Sequence, residues 1–278
     1  MFTFELERFL EEDLGKDDDS CGIVPSLPAK ARILCKEEGV LAGLEEAAQI
    51  YCYFGLDIET TACDGDRLSK GDVVMTIEGD ARGILRAERL ALNFLGRMSG
   101  IATLTAQCVS RAIGPKGSHV NVRVAATRKT TPGFRQFEKK AVKLGGGDAH
   151  RFDLSAAVMV KDNHIALLGL EKAIESAQAA ASFTKKLEVE VESVEQGARA
   201  AELGADIVMF DNMRPAEIAR GVKKLKRINP NLLIEASGGI TVENIGQYAK
   251  AGVDVVSLGA LTRNARWLDF GLEMEPER

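Results

Sequence analysis

The chain has no run of about 20 apolar residues, the length that a membrane-crossing helix requires. Its opening stretch, MFTFELERFLEEDLGKDDDS, has no basic region followed by an apolar core and a small-residue cleavage site. No membrane association is expected, and the cytoplasm is the expected compartment. The five cysteines, Cys21, Cys35, Cys52, Cys63 and Cys108, are odd in number and include no C-x-x-C pair. Neither a disulfide framework nor a tetrahedral zinc site is therefore indicated, and buried, reduced thiols are expected. Positive charge is also short: 36 Lys and Arg stand against 41 Asp and Glu, a formal net charge of −5. That balance leaves no field for non-specific nucleic-acid binding, so any anionic partner is expected to be small and held by a local cluster. The absence of G-x-G-x-x-G removes the fingerprint of a dinucleotide-binding doubly wound sheet.

Within this acidic chain, residues 126 to 164 crowd Arg128, Lys129, His150, Arg151, Lys161 and His164 into one stretch. They stand beside Pro132, Gly145-Gly146-Gly147 and short apolar runs, at the ends of elements. That placement suggests a polyanion site, whereas Lys139, Lys140 and Lys143 fit an ordinary helix surface. With 278 residues, 45% of them hydrophobic, the chain is long enough for one barrel or two domains.

The first hundred residues read as a small α+β domain. An amphipathic start (Phe4, Leu6, Phe9, Leu10) leads to an acidic turn at Asp17-Asp18-Asp19, and then to strand-like segments ARILCKEEGVLAG and DVVMTIEGDARGIL. From Ala87, apolar residues at near-helical spacing (Leu90, Phe94, Leu95, Ile101, Leu104) predict a linking helix, with Gly96 and Gly100 as possible breaks. Beyond it the rhythm becomes strand, turn, helix, repeated: VRVAA, AVMVK, LEVEV, DIVMF, LLIEA and DVVSL are the strands. Such alternation predicts parallel strands covered by helices. The echo between LGADIVMFD (203–211) and AGVDVVSLG (251–259) favours a barrel over an open sheet.

Polar residues recur at the carboxyl ends of these strands, the catalytic face of an α/β barrel. EASGGIT (235–241) places Ser237, Gly238 and Gly239 before a helical stretch, and Gly259 closes the next strand. Glycines let backbone N–H groups approach a phosphate, which a helix N-terminus also favours; the plainer reading is a turn. Arg128, Lys129 and Lys161 terminate apolar strands, as a substrate site requires. Glu190 and Asp211 end successive strands and suit Mg²⁺, which keeps several waters and binds substrate phosphates; structural ion pairs are the alternative. Glu188, Glu190 and Glu192 are divided in this reading between inward and outward faces. The residues alone thus imply a phosphorylated anionic substrate, Mg²⁺ and a second, acidic substrate.

The ordered set TRKTTPGFR, GGG-x-x-HR, VKDNH, EVEVES, FDNM, EASGGIT and GVDVVSLGALT resembles the quinolinate phosphoribosyltransferase family, with EDLG (12–15) and RAERLALNFLGRMSGIAT (86–103) extending the match toward the N-terminus. The resemblance implies an incomplete α/β barrel with a smaller N-terminal α+β sandwich domain. Its expected bounds are 1–105 for the sandwich and 106–265 for the barrel, with the tail 266–278 returning to the first domain. It implies transfer of phosphoribosyl from 5-phosphoribosyl 1-pyrophosphate to quinolinate with decarboxylation, giving nicotinate mononucleotide, pyrophosphate and CO₂ in NAD biosynthesis. A homodimer sharing its active sites is implied too. By motif, Arg89, Arg128, His150 and Arg151 would hold quinolinate, and Lys129 and Lys161 would serve substrate and pyrophosphate groups. Glu190 and Asp211 would serve ribose and Mg²⁺, and Ser237, Gly238, Gly239 and Gly259 the 5-phosphate.

The chain departs from the family pattern where Arg263 replaces His after Ala260-Leu261-Thr262, where Asp148-Ala149 replaces a frequent Asn, and in KDDDSCGI (16–23). Arg263 is expected to meet a phosphate. The rival readings are a related phosphoribosyltransferase acting on another pyridine or pyrimidine acid, and a non-catalytic anion-binding barrel.

Overall fold

The structure, a computed structural model, describes residues 1–15, 21–114 and 122–275; the acidic turn expected at Asp17-Asp18-Asp19 lies outside them. The chain divides into two compact units. The first comprises Met1–Leu104, Gln136–Gly145 and Ala265–Arg278, and the second Thr105–Arg135 and Gly146–Asn264.

In the first unit, helix α1 (Thr3–Leu14) buries Leu6 and Leu10 one turn apart, while Phe4 is exposed. Strands β1 (Pro28–Cys35), β3 (Asp57–Thr60), β5 (Val73–Asp80) and the late β12 (Phe270–Glu275) form an antiparallel sheet in the order β12-β1-β5-β3. A small ladder pairs β2 (Gly39–Val40) with β4 (Arg67–Leu68), and α2 (Leu44–Tyr53) buries Ala47, Ile50 and Tyr51. β1 alternates buried Ala31, Ile33 and Cys35 with more exposed neighbours, the period-two pattern of a sheet with one covered face.

Helix α3 (Ala81–Ile113) begins six residues before the expected Ala87 and runs without a break. Gly96 and Gly100 do not interrupt it; they let another stretch of backbone come close. A Cβ at Gly100 would lie 1.9 Å from the Arg266 carbonyl oxygen, and Leu268 N donates to Gly96 O at 2.9 Å. The helix-propensity cost of each glycine, about 1 kcal/mol, is offset by that packing. Helix α4 (Arg135–Leu144) also differs from expectation: Lys139 is only 2% exposed, and Lys140 is drawn into an ion-pair cluster. Of the thiols, Cys35 and Cys108 are buried as expected, whereas Cys52 and Cys63 are exposed; the side chain of Cys21 lies outside the described residues.

The second unit carries six parallel strands: β6 (Arg123–Ala125), β7 (Val158–Val160), β8 (Leu187–Val191), β9 (Ile207–Asp211), β10 (Leu233–Ser237) and β11 (Val255–Ser257). Every one coincides with a segment read from the sequence. Helices α5 (Asp162–Leu168), α6 (Leu170–Ala180), α7 (Val194–Glu202), α8 (Pro215–Ile228), α9 (Ile245–Lys250) and α10 (Ala260–Arg263) alternate with them. The sheet order is β6-β11-β10-β9-β8-β7. The first strand pairs with the last and the others follow consecutively, which is barrel topology left open between β6 and β7; a doubly wound sheet reverses direction at an internal strand. Among the described residues no helix is long and apolar enough to cross a membrane.

Candidate active site

The carboxyl ends of all six strands line one cavity of 310 Å³ in the second unit. A flat six-stranded sheet would hold its edge strands about 24 Å apart, at about 4.8 Å per strand, so only a curved sheet brings them round one space of this size. Arg128 and Lys129 reach it from beyond β6, Met159 and Lys161 from β7, and Glu190 from β8. Met209 and Asp211 come from β9, Glu235 and Ser237 from β10, and Ser257 from β11. His150 and Arg151 enter from the loop before β7.

That loop is pinned to the open edge of β6: Asp148 N donates to Val124 O at 2.8 Å, and Ala126 N to Asp148 O at 2.9 Å. Gly145-Gly146-Gly147 is the turn that ends α4 ahead of this edge pairing and does not line the cavity. His150 N then donates to Asp148 Oδ1 at 2.7 Å, with His150 in the left-handed backbone region at φ 55°. A non-glycine residue there is held by its surroundings. Lys129 is fixed from the other side, because buried Thr262 donates its hydroxyl to Lys129 O at 2.6 Å. A Cβ on Gly259 would come within 2.9 Å of Lys129 Cδ, so that glycine makes room for the lysine chain.

Gly238, at φ 85°, is required in a second sense: a Cβ there would lie 2.3 Å from Asn212 Oδ1. Gly239, at φ 64°, has open space where its Cβ would be. Asn244 closes the turn by donating from Nδ2 to Gly239 O at 3.0 Å. The following helix starts only at Ile245, so Ser237-Gly238-Gly239, half-buried at Ser237 and Gly238 and exposed at Gly239, does not sit directly on a helix N-terminus.

Charges of both signs converge. Lys161 Nζ donates to Glu190 Oε2, and His150 Nε2 lies 3.1 Å from Glu235 Oε2 and 3.9 Å from Glu188 Oε1. Glu188 and Glu235 are each about 1% exposed. Glu188, Glu190 and Glu192 were expected to divide between faces; instead Glu188 and Glu190, two apart on one strand, share the inward face at different depths. Glu192 lies beyond the strand end, in a neighbouring hollow of 540 Å³ that also includes Asp211. Burial, with the Glu235 charge, pushes the Glu188 carboxyl up to about 7 against the pull of His150, Arg151 and Lys161. Burial likewise draws the Arg151 guanidinium below its ordinary value; Glu188, Glu190 and Glu235 oppose this and Arg128 adds to it.

Six expected residues stand apart from the cavity lining: Gly238, Gly239 and Gly259, which adjoin lining residues in sequence or in contact, and His164, Arg263 and Arg89. His164 accepts a hydrogen bond at Nδ1 from Lys161 N at 3.0 Å, helping to start α5. Arg263 is exposed and donates from Nε to Asn264 Oδ1 at 3.0 Å. Arg89 is exposed on α3, within the first unit. Conversely, the sequence reading left Glu235, Ser257, Met159, Met209 and Thr262 without roles. Of these, only Glu235 left a usable trace, a charge two residues before Ser237 inside an apolar strand.

The family model described as quinolinate phosphoribosyl transferase, C-terminal domain, matches residues 101–273, and that of the N-terminal domain matches residues 17–99. The chain belongs to the quinolinate phosphoribosyltransferase family. It is 49% identical over 247 residues to a probable nicotinate-nucleotide pyrophosphorylase [carboxylating] of Methanothermobacter thermautotrophicus, covering 88% of each chain. To the human nicotinate-nucleotide pyrophosphorylase [carboxylating] it is 42% identical over 270 residues, covering 97% of this chain and 90% of the human one. Among solved structures, NadC from Streptococcus pyogenes superposes with a TM-score of 0.90 at 41% identity, covering 99% of both chains. The Francisella tularensis nicotinate-nucleotide pyrophosphorylase gives 0.91 at 32% identity, covering 98% of this chain and 95% of that one.

Proposed function

We propose that this cavity transfers phosphoribosyl from 5-phosphoribosyl 1-pyrophosphate to quinolinate with loss of CO₂, yielding nicotinate mononucleotide and pyrophosphate for NAD biosynthesis. The observation that carries the reading is the convergence of Arg128, Lys129, His150, Arg151 and Lys161 with Glu190 and Asp211 on one cavity, in a chain of this family. A substrate with two carboxylates calls for several separate cations, and a leaving pyrophosphate calls for more. Asp211 lines both the cavity and the 540 Å³ hollow, two spaces that this reading assigns to a pyridine diacid and a phosphoribosyl donor.

In this reading Arg128, His150 and Arg151 hold quinolinate, Lys129 and Lys161 face the pyrophosphate and carboxylate groups, and Glu190 and Asp211 stand by the ribose. Ser237, Gly238, Gly239 and Gly259 receive the 5-phosphate, with Arg263 at the rim. As the C1–oxygen bond to pyrophosphate breaks, positive charge grows on the ribose and negative charge on the leaving group, and fixed carboxylates and cations stabilise both. The pyridine nitrogen is itself the nucleophile, so the protein's task is placement. Once alkylated, the ring is cationic and accepts the electron pair released with CO₂; the ring carbon then takes up a proton.

Glu190 and Asp211 would hold Mg²⁺ by donor chemistry, as hard carboxylate oxygens lining the same cavity. Bound there, Mg²⁺ would neutralise phosphate charge. Family resemblance supports a homodimer in which Arg89 serves the partner's site. Free, exposed Cys52 and Cys63 suit a reducing compartment and support a cytoplasmic protein. The deciding experiment offers quinolinate, nicotinate or nicotinamide with the donor and Mg²⁺ and measures pyrophosphate and CO₂. Release of both with quinolinate alone is expected. Pyrophosphate release with nicotinate and none with quinolinate would assign the fold to another acid, and binding without any release would leave only a binding barrel.

A further inference from the structure

We propose that Glu235 is a positioning residue that acts through His150, fixing the imidazole at the cavity floor so that it meets a carboxylate of the diacid substrate. The inference rests on the quinolinate reading for its substrate, but its structural half stands alone. Glu235 is 1% exposed on β10, and its Oε2 lies 3.1 Å from His150 Nε2. Its Oε1 and both carboxylate oxygens of Glu188 are buried without a hydrogen-bond partner. Buried carboxylates left in this state are costly to a fold. Two of them under a substrate cavity point to a service beyond stability.

That service follows from the geometry around His150. Its backbone is held in the left-handed region and tied to Asp148, so the loop sets where the ring begins. A carboxylate at Nε2 orients the ring, because it accepts the hydrogen carried on that nitrogen. Glu188 stands behind the ring, 3.9 Å from the same nitrogen. His150, Glu188 and Glu235 also place potential ligand atoms within 4.8 Å of one another. Arg128, Arg151 and Lys161 line the same cavity and already supply positive charge there, so the trio reads as counter-charge to a substrate-facing cation and not as a metal cage.

The test compares Glu235→Gln, Glu235→Asp, His150→Ala and the double variant E235Q/H150A in full-length protein, with thermal melting to establish folding. Glu235→Gln should raise the quinolinate KM about tenfold, the size of one charge-assisted hydrogen bond. The donor KM should stay within about twofold, since the acid does not face the phosphoribosyl group. Added to His150→Ala, Glu235→Gln should change the quinolinate KM by less than about twofold, because its route of action is gone. Glu235→Asp keeps the charge one methylene short and should fall between wild type and Glu235→Gln; it serves as the reading if the Gln variant does not fold. The chain has only three histidines, so ¹⁵N resonances of the His150 ring can be assigned in ligand-free protein. They should show a protonated Nε2 in wild type and shift in Glu235→Gln. An unchanged ring spectrum, or effects of the two single variants that simply multiply in the double, would overturn the proposal. A wild-type protein that ignores quinolinate, with the ring resonances still shifted in Glu235→Gln, would sink the substrate reading and leave the positioning role standing.

Discussion

Two groups of acidic side chains in this molecule look alike by composition and behave differently. In the first unit Glu45, Glu46 and Asp64 gather round Lys140, whose Nζ lies 2.6 Å from Glu45, 2.8 Å from Glu46 and 3.5 Å from Asp64. Asp64 also accepts from Leu44 N at 2.9 Å, fastening the start of α2. In the second unit Glu188 and Glu235 gather round His150, and three of their four oxygens have no hydrogen-bond partner. One cluster is closed by its own cation. The other leaves acceptors unmatched at the base of a cavity lined with arginine and lysine. A charge cluster therefore reads as structural when its hydrogen-bond capacity is used up within the fold, and as a site when it is not.

The strongest way to break that contrast is to remove a cation from each region. A charge-assisted contact to substrate contributes about 1.5–3 kcal/mol, and Lys129 and Arg151 are assigned more than one each. Lys129→Ala and Arg151→Ala should each lower kcat/KM on the order of 100-fold or more. Melting of Lys129→Ala should shift little, because that side chain is exposed. Lys140→Met should do the reverse, leaving kcat/KM within about twofold while lowering stability by about 2 kcal/mol, less than the loss for a fully buried pair. Near-wild-type turnover in Lys129→Ala, or lost turnover in folded Lys140→Met, would erase the distinction.

Arg89 sharpens the same contrast, since it is the one proposed substrate ligand in the first unit. If it serves a partner's cavity, Arg89→Ala and Lys129→Ala homodimers should each be nearly inactive. Unfolded together and refolded, half the dimers would be mixed, each with one site carrying both lesions and one carrying neither. Recovered activity should approach about one quarter of wild type for statistical mixing of a symmetric dimer. Mixed dimers confirmed by mass spectrometry without recovered activity would confine Arg89 to its own subunit or to no site.

Much of this was legible in the residues. The six parallel strands were, because each is a short apolar run bounded by turn signals, and the motif order carried the family. The span of α3 was not, because Gly96 and Gly100 look like helix breaks until the backbone packed against them is seen. The burial of Lys139 and the closure of the Lys140 cluster depend on residues far apart in sequence, which helical periodicity does not report. Glu235 and Glu188 escaped for another reason: local patterning shows a charge inside a strand but not which strand ends face a common cavity. Ser257, with its buried hydroxyl unpartnered at that cavity, gives no sequence signal at all.

The two clusters should also respond to pH with opposite sign. Glu45 is held below its ordinary value chiefly by the hydrogen bond from Lys140. Its stabilisation is present above the unfolded carboxylate pKa and is lost as pH falls through the lower folded value. Glu188 is displaced upward from 4.5 to about 7, mainly by burial. The folded form then keeps a proton that the unfolded chain has released, so this contribution declines as pH rises from 4.5 through about 7 and stays lost above it. Glu188→Gln should thus stabilise the protein at pH 8 by about 1–3 kcal/mol relative to wild type, and much less at pH 5. Denaturant midpoints of the metal-free protein at the two pH values measure this, and an equal difference at both would remove Glu188 as the cause.

The smallest expected effect lies at Arg263, which belongs to neither kind of cluster. It is exposed, its Nε is engaged by neighbouring Asn264, and it stands four residues past Gly259, at the position where the family resemblance implies histidine. If it meets the 5-phosphate, Arg263→Ala should raise the donor KM by about fivefold, within the range of an exposed ionic contact. The quinolinate KM should move less. High salt should narrow the difference, because a rim charge is screened where Arg151 and Glu235 are not. Arg263→His should recover part of the loss, since a shorter cationic ring can still donate to phosphate. A donor KM unchanged at low salt would make Arg263 a surface residue and place the whole 5-phosphate contact on Ser237, Gly238, Gly239 and Gly259.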